Sequence, residues 1–235
     1  GDENLIKPLI KKYNLPLDKI NLTHTDKIVE GEDTALSAAK RGKNTSLWLA
    51  IESLKKDEAD VMVSAGNTGA LFLISKLNLK MIENIDKPAL SALWPSKKSM
   101  NVVLDLGANI ECNAKNLVDF SIMGSALLKA LYPNELPKVA LLNIGSEELK
   151  GNAMIKETYQ ILHEKKYSLF EFKGYIEGNN IMEGNVNVII ADGFTGNIAL
   201  KTAEGTSNFI ISELKKALTS TVLGKMSSLI NYSNL

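Results

Sequence analysis

Four apolar stretches run unbroken for several residues and then stop abruptly in turns rich in glycine and asparagine. They are VMVSAGNTGA (61–70), VVLDLGANIEC (102–112), VALLNIGSEELKGN (139–152) and VIIADGFTGNIALK (188–201), and three of the turns lead into helix-like sequence. Strands buried on both faces of a parallel sheet read as continuous apolar runs rather than as alternating ones. Helical stretches between them show apolar residues at spacings of three and four, such as Leu47, Leu49, Ala50 and Leu54. The pattern predicts helices over residues 34–41, 46–56, 68–79, 117–131, 153–164 and 196–218, after an opening amphipathic helix through Leu5, Ile6, Leu9 and Ile10. It predicts strands over 20–24, 61–63, 88–93, 102–106, 139–143, 169–172 and 186–191. Such alternation of strand and helix builds a mostly parallel sheet covered on both faces.

The turns matter because ligands of open α/β sheets bind outside the carboxyl ends of the strands. Glycine there allows close backbone approach. A helix that starts there presents unpaired N–H groups and a positive dipole end to an anion. Several such turns in one chain imply a cleft for something polar, phosphate above all.

Composition narrows the picture. The 235 residues are 45% hydrophobic and 23% charged, those of an ordinary globular α/β domain, and we expect one domain over 1–235. The formal net charge is zero, which argues against a dedicated nucleic-acid binder. Cys112 is the sole cysteine, so no intramolecular disulfide forms, in keeping with a reducing cytoplasm. Arg41 is the sole arginine, so an anion will be met mostly by lysines and backbone amides rather than by guanidinium forks. Gly1-Asp2 reads as the turn after a strand, and the sequence stops at Leu235 without a helix end, so we expect an interior portion of a longer protein, missing both ends.

Taken singly, each turn has a plain reading. Ser64, Asn67 and Thr68 are what a helix cap on a tight turn needs, and Asp192 is a capping residue for the turn that it opens. Neither the dinucleotide glycine fingerprint nor a phosphate-binding loop closed by G-K-[ST] occurs. Lys150 before Gly151-Asn152 is a solvated charge in isolation, and an electrophilic partner for an oxyanion if it stands over a cleft of amides. Thr195 and Asn197 have donors for a reacting carbonyl. His24 and His163 lie far apart and read as surface or packing residues. Cys112 reads as a small apolar residue before it reads as an acyl carrier.

In combination, SAGNTGAL, DLGANIEC, VDFSIMGSA, VALLNIGSEELKGN and ADGFTGNIALKTAEG, together with KRGKNTSL and IDKPALSALWP, closely resemble the PlsX family of bacterial phosphate acyltransferases. The resemblance covers the chain from Gly1 to about Lys216, and the family's opening strand with its D-A-M-G-G-D loop and its closing segment are missing. It implies a three-layer α/β/α sandwich like that of isopropylmalate dehydrogenase and the phosphotransacetylases, and a cytoplasmic homodimer. It also implies a reaction in which inorganic phosphate attacks the thioester of acyl–acyl carrier protein, giving acyl phosphate and free carrier. That product feeds a membrane glycerol-3-phosphate acyltransferase of the PlsY type in phospholipid synthesis. Two alternatives stand beside it, a phosphotransacetylase-like enzyme acting on acyl-CoA and a non-catalytic scaffold for lipid synthesis.

On this reading Lys150 and Asn197 are the catalytic residues. Ser64, Gly66, Asn67, Thr68 and Gly69 cradle phosphate, with Asn109, Gly151 and Asn152 on the opposite wall and Gly193, Thr195 and Gly196 shaping the last loop. The chemistry calls for no cofactor and no metal. Lys40, Arg41 and Lys43 form a basic cluster suited to an acidic carrier protein. A protruding amphipathic segment over 212–232 carries Leu223, Met226, Leu229 and Ile230, read either as a membrane contact or as a helix packed on a dimer partner.

Overall fold

The computed structural model describes residues 1–221 and Gly224, so Leu223, Met226, Leu229 and Ile230 lie outside the described residues. The chain divides into two compact units, Gly1–Pro88 and Ala89–Leu235.

The first unit is helical among its described residues: α1 (Glu3–Lys12), α2 (Ala35–Arg41), α3 (Ser46–Lys55) and α4 (Thr68–Asn78). Each start is fixed by a capping side chain, Asp2, Thr34, Thr45 and Asn67 respectively, that accepts from a backbone N–H of the first turn. Ala38, Leu47, Ile51, Ala70 and Ile74 form its buried core. The strands expected at 20–24 and 61–63 are absent, which corrects the sequence reading. A strand needs a hydrogen-bonded neighbour as well as an apolar run. The backbone of residues 23–25 meets that of Gly1 and no ladder, the Gly1 ammonium donating to Thr23 O (2.9 Å) and Gly1 O accepting from Thr25 N (3.1 Å). Val61 and Val63 are 77% and 91% exposed.

The second unit holds a five-stranded sheet of β1 (Ser91–Pro95), β2 (Met100–Leu104), β3 (Lys138–Asn143), β4 (Glu171–Glu177) and β5 (Val188–Ile190), in the order β1-β2-β5-β3-β4. The β2–β5, β5–β3 and β3–β4 pairs are parallel, and β1 is an antiparallel edge on β2. β1 and β4 lie several residues later than the apolar content suggested. Pro88 has no N–H to give a ladder. In β4 the pairing with β3 slips between Val139 and Leu141, near Gly174 at φ +83°.

The unbroken apolar runs are explained by burial on both faces. Val102, Leu104, Val139, Leu141, Val188 and Ile190 pack beneath α5 (Ala114–Leu131) and α6 (Ala153–Glu164) through Leu117, Phe120, Leu128, Ile155 and Leu162. Val103, Ala140, Leu142 and Ile189 point the other way, where Ala199, Leu200 and Ala203 of α7 (Gly193–Thr219) pack against them. Gly124 lets α5 settle onto the sheet, since a Cβ there would lie 2.7 Å from Leu104 Cδ1 and 2.8 Å from Val188 Cγ1. The result is helix, sheet, helix: a mostly parallel three-layer α/β arrangement. The part of 212–219 expected to protrude is the end of α7, whose Phe209, Ile210, Ile211 and Leu214 are exposed. No helix among the described residues is long and apolar enough to cross a membrane.

Candidate active site

Because β5 lies between β2 and β3, the chain segments leaving all three strands emerge side by side. Neighbouring strands are about 4.8 Å apart, which gathers segments 105–109, 144–151 and 191–197 at one edge of the sheet.

The segment after β2 is organised by Asp105, which is fully buried. One carboxylate oxygen accepts from the backbone N–H of Leu90, Gly107 and Ala108 at 3.0, 3.1 and 3.0 Å. The other accepts from Asn109 N and Asn109 Nδ2, both at 2.8 Å. Asn109, expected to line a substrate wall, thus turns an amide donor inward, and its carbonyl accepts from Gly193 N at 2.9 Å. Cys112 packs against the α5–α6 core and directs its Sγ at Asn109 O, 3.5 Å away.

The segment after β5 becomes the start of α7. Asp192 caps it as the sequence suggests, accepting from Thr195 N at 2.9 Å and from the Thr195 hydroxyl at 2.7 Å. Thr195 therefore gives its hydroxyl hydrogen to the cap. Two glycines let this turn lie against the 105–109 segment. A Cβ on Gly193 would come within 2.5 Å of Asn109 O, and one on Gly196 within 1.9 Å of Asp105 O. Asn197 donates through Nδ2 to Leu106 O at 3.2 Å. Gly107, at φ +130°, leaves room for that amide, because a Cβ would lie 2.6 Å from it.

The segment after β3 carries Lys150. Asn143 staples it, donating to Gly145 O and Lys150 O, both at 3.2 Å. Gly151 takes φ +95°, a left-handed turn that a side chain would oppose, and Asn152 caps α6 by accepting from Ile155 N at 2.9 Å. Lys150 is exposed and makes no ion pair among the described residues. Ile144 and Leu149 in the same segment are 82% and 85% exposed. Sequence reasoning missed Asp105 and Asn143. Each is a polar residue at or just past a strand end, and that position was the only signal.

The 64–69 loop belongs to the first unit. Ser64 Oγ accepts from Gly66 N at 3.2 Å, and Asn67 accepts from Ala70 N at 2.9 Å while donating to Gly31 O and Asp33 O at 3.1 and 2.8 Å. Thr68 and Gly69 form the first turn of α4, and Ser64, Gly66 and Asn67 border a groove of 380 Å³ with Val29, Leu47 and Val63. In the same unit Lys40, Arg41 and Lys43 are all exposed. Arg41 donates to Asp33 at 2.7 Å and to Ser37 Oγ at 2.5 Å. The Glu30 backbone N–H, followed by Ser37 and Arg41, holds the Asp33 carboxyl below its ordinary range. His24 Nδ1 accepts from Glu3 N, and His163 stacks on Tyr159.

A family model described as a fatty acid synthesis protein matches residues 1–235. The phosphate acyltransferase of Pelagibacter ubique (strain HTCC1062) is 67% identical over 235 residues, covering 100% of this chain and 70% of that protein. The phosphate acyltransferase of Maricaulis maris (strain MCS10) is 45% identical over 228 residues, covering 97% of this chain and 65% of that protein. This chain thus spans about two thirds of the length of these relatives. Among solved structures, a branched-chain phosphotransacylase from Enterococcus faecalis V583 is similar at TM-score 0.47 and 16% identity, covering 85% of this chain and 78% of that one. The unbroken match to the family, carried through each of the strand-end segments just described, places this chain in the PlsX family, the phosphate acyltransferases of lipid synthesis.

Proposed function

We propose that this chain transfers an acyl group from acyl–acyl carrier protein to inorganic phosphate, releasing acyl phosphate and free carrier. A phosphate oxygen attacks the thioester carbonyl carbon, the carbonyl oxygen becomes an oxyanion, and the C–S bond then breaks with the electron pair leaving on the carrier sulfur. A thioester is already activated, so the protein has to orient both reactants and stabilise the oxyanion. Lys150 neutralises the phosphate and the transition-state charge. Asn197 Nδ2 has a second hydrogen beyond the one given to Leu106 O, and that hydrogen serves the oxyanion. The positive end of the 27-residue α7 faces the same region. Gly151 and Asn152 shape the loop that presents Lys150, and Asn109 holds the wall. The exposed Ile144 and Leu149 offer apolar surface to the acyl chain.

The observation that carries this reading is the exposed, ion-pair-free Lys150 on the segment beside the interlocked 105–109 and 193–197 turns. The first unit's loop of Ser64, Gly66, Asn67, Thr68 and Gly69 is proposed to bind phosphate oxygens at the start of α4. Lys40, Arg41 and Lys43 are proposed to attract the acidic carrier. We further propose a cytoplasmic homodimer supported by the exposed apolar face of α7, a membrane contact through the undescribed Leu223, Met226, Leu229 and Ile230, and delivery of product to a PlsY-type acyltransferase.

The test supplies the purified protein with acyl–acyl carrier protein or acyl-CoA, with and without phosphate, and follows acyl phosphate by phosphorus NMR. Acyl phosphate from the carrier-linked donor, dependent on phosphate, is expected. Product from acyl-CoA alone would favour the phosphotransacetylase alternative, and no product from either donor would leave the scaffold.

A further inference from the structure

We propose that Asp105 is a positioning residue for acyl transfer, acting through the peptide of Leu106 on the side chain of Asn197; the inference rests on the reaction proposed above. Asp105 makes no ion pair among the described residues, yet it is fully buried. An isolated carboxylate there would be costly. Five N–H groups offset that cost: three from Leu90, Gly107 and Ala108, and two from Asn109. Together they tie the backbone of residues 107–109 and of Leu90 to one carboxylate.

The consequence reaches Asn197 by two contacts. Leu106 is fixed at both ends of its residue, its N–H donating to Leu90 O at 3.0 Å and its carbonyl accepting from Asn197 Nδ2 at 3.2 Å. The same Leu90 gives its own N–H to Asp105. Meanwhile the absence of a side chain on Gly196 lets the first turn of α7 rest on the Asp105 carbonyl, and Gly107 closes over the Asn197 amide. The direction of the Asn197 amide is therefore set by where Asp105 holds the Leu106 carbonyl. With Nδ2 against that carbonyl, its remaining hydrogen has one orientation for the oxyanion. A carboxylate is required because all its lone pairs accept; an asparagine at 105 would turn an NH2 toward N–H donors and release part of the segment.

A double-mutant cycle decides the matter, with circular dichroism and thermal melts establishing that each variant is folded. Asp105→Asn should lower kcat about ten- to a hundredfold, the scale of a small misplacement of a catalytic group, with KM for phosphate little changed. In an Asn197→Ala background the same change should cost less than about twofold, since nothing remains to be positioned. If Asp105→Asn does not fold, Asn109→Ala replaces it, removing one of the five N–H groups and leaving the carboxylate in place. Its smaller loss should vanish in the Asn197→Ala background in the same way. Equal losses in both backgrounds would overturn the proposal, as would a rise in KM with kcat unchanged. An active parent with additive losses defeats only this inference; a parent with no phosphate-dependent turnover defeats the reaction as well.

Discussion

At the scale of single residues, the contest lies between donors committed to the fold and donors left for chemistry. Asn197 is committed to the fold through Leu106 O and is proposed to serve the oxyanion as well, so its variants should separate the two. Asn197→Asp keeps the shape but sets a negative acceptor against the Leu106 carbonyl, an incoming phosphate and a growing oxyanion. It should lose more turnover than Asn197→Ala, which only deletes a hydrogen bond; steady-state rates of the two folded variants check the order. Tyr175 shows the opposite case. Its hydroxyl is buried with no hydrogen-bond partner among the described residues. Tyr175→Phe should raise stability by about 1 kcal/mol, the low end of the cost of an unsatisfied buried group. Burial raises the phenol pKa of Tyr159, Tyr167 and Tyr175 above the ordinary value, with Glu148 adding to it at Tyr159 and Tyr175. Phenols held protonated in the fold lend stability that is complete below about pH 10, the unfolded value, and is lost as pH rises through the higher folded values. Chemical denaturation across that range should show the decline, and Tyr175→Phe should make it shallower. The Asp192 cap was legible because its motif sits where a strand run ends. The carboxylate of Asp105 was not, because the sequence shows an aspartate in a turn and not the five N–H groups that other segments bring to it.

At the scale of elements, glycines decide how closely α7 meets the sheet edge. Gly196→Ala forces a Cβ against the Asp105 carbonyl, which is backbone and cannot rotate away. It should destabilise by about 1–3 kcal/mol and depress activity by displacing Asn197. Gly205→Ala, in the same helix with nothing within 4 Å of the added carbon, should instead stabilise by about 0.5–1 kcal/mol. Thermal melts of the pair test whether α7 is seated as described. β2, β3 and β5 were legible because strands buried on both faces are apolar at every position. β4 was harder, since its sequence EFKGYIE mixes charges with aromatics and its ladder slips near Gly174. The stretch at 61–63 is apolar throughout like the true strands, and that at 20–24 alternates apolar with polar residues; periodicity reports what a segment could bury, and not whether a neighbour is there to pair with it.

At the scale of the whole molecule, the family was legible as a string of motifs in order, whereas the division into two compact units at Pro88 left no mark in composition or in a linker. Two surfaces belong to this scale. Replacing Ile210, Ile211 and Leu214 with serine should convert dimers to monomers in sedimentation if the exposed face of α7 is a contact between copies. Reversing charge at Lys40, Arg41 and Lys43 should slow association with acidic carrier and flatten its salt dependence, without changing the sedimentation result. The proposed reaction needs a cation for phosphate and the oxyanion, and Lys150 is the one proposed. The measurement that tests it most directly is phosphate-dependent release of free carrier from acyl–acyl carrier protein by the parent and by Lys150→Ala, both confirmed as folded. The account predicts a loss of roughly two to three orders of magnitude in the variant, the scale seen when an oxyanion-stabilising group is removed. A folded Lys150→Ala protein that releases carrier at the parent's rate would contradict it.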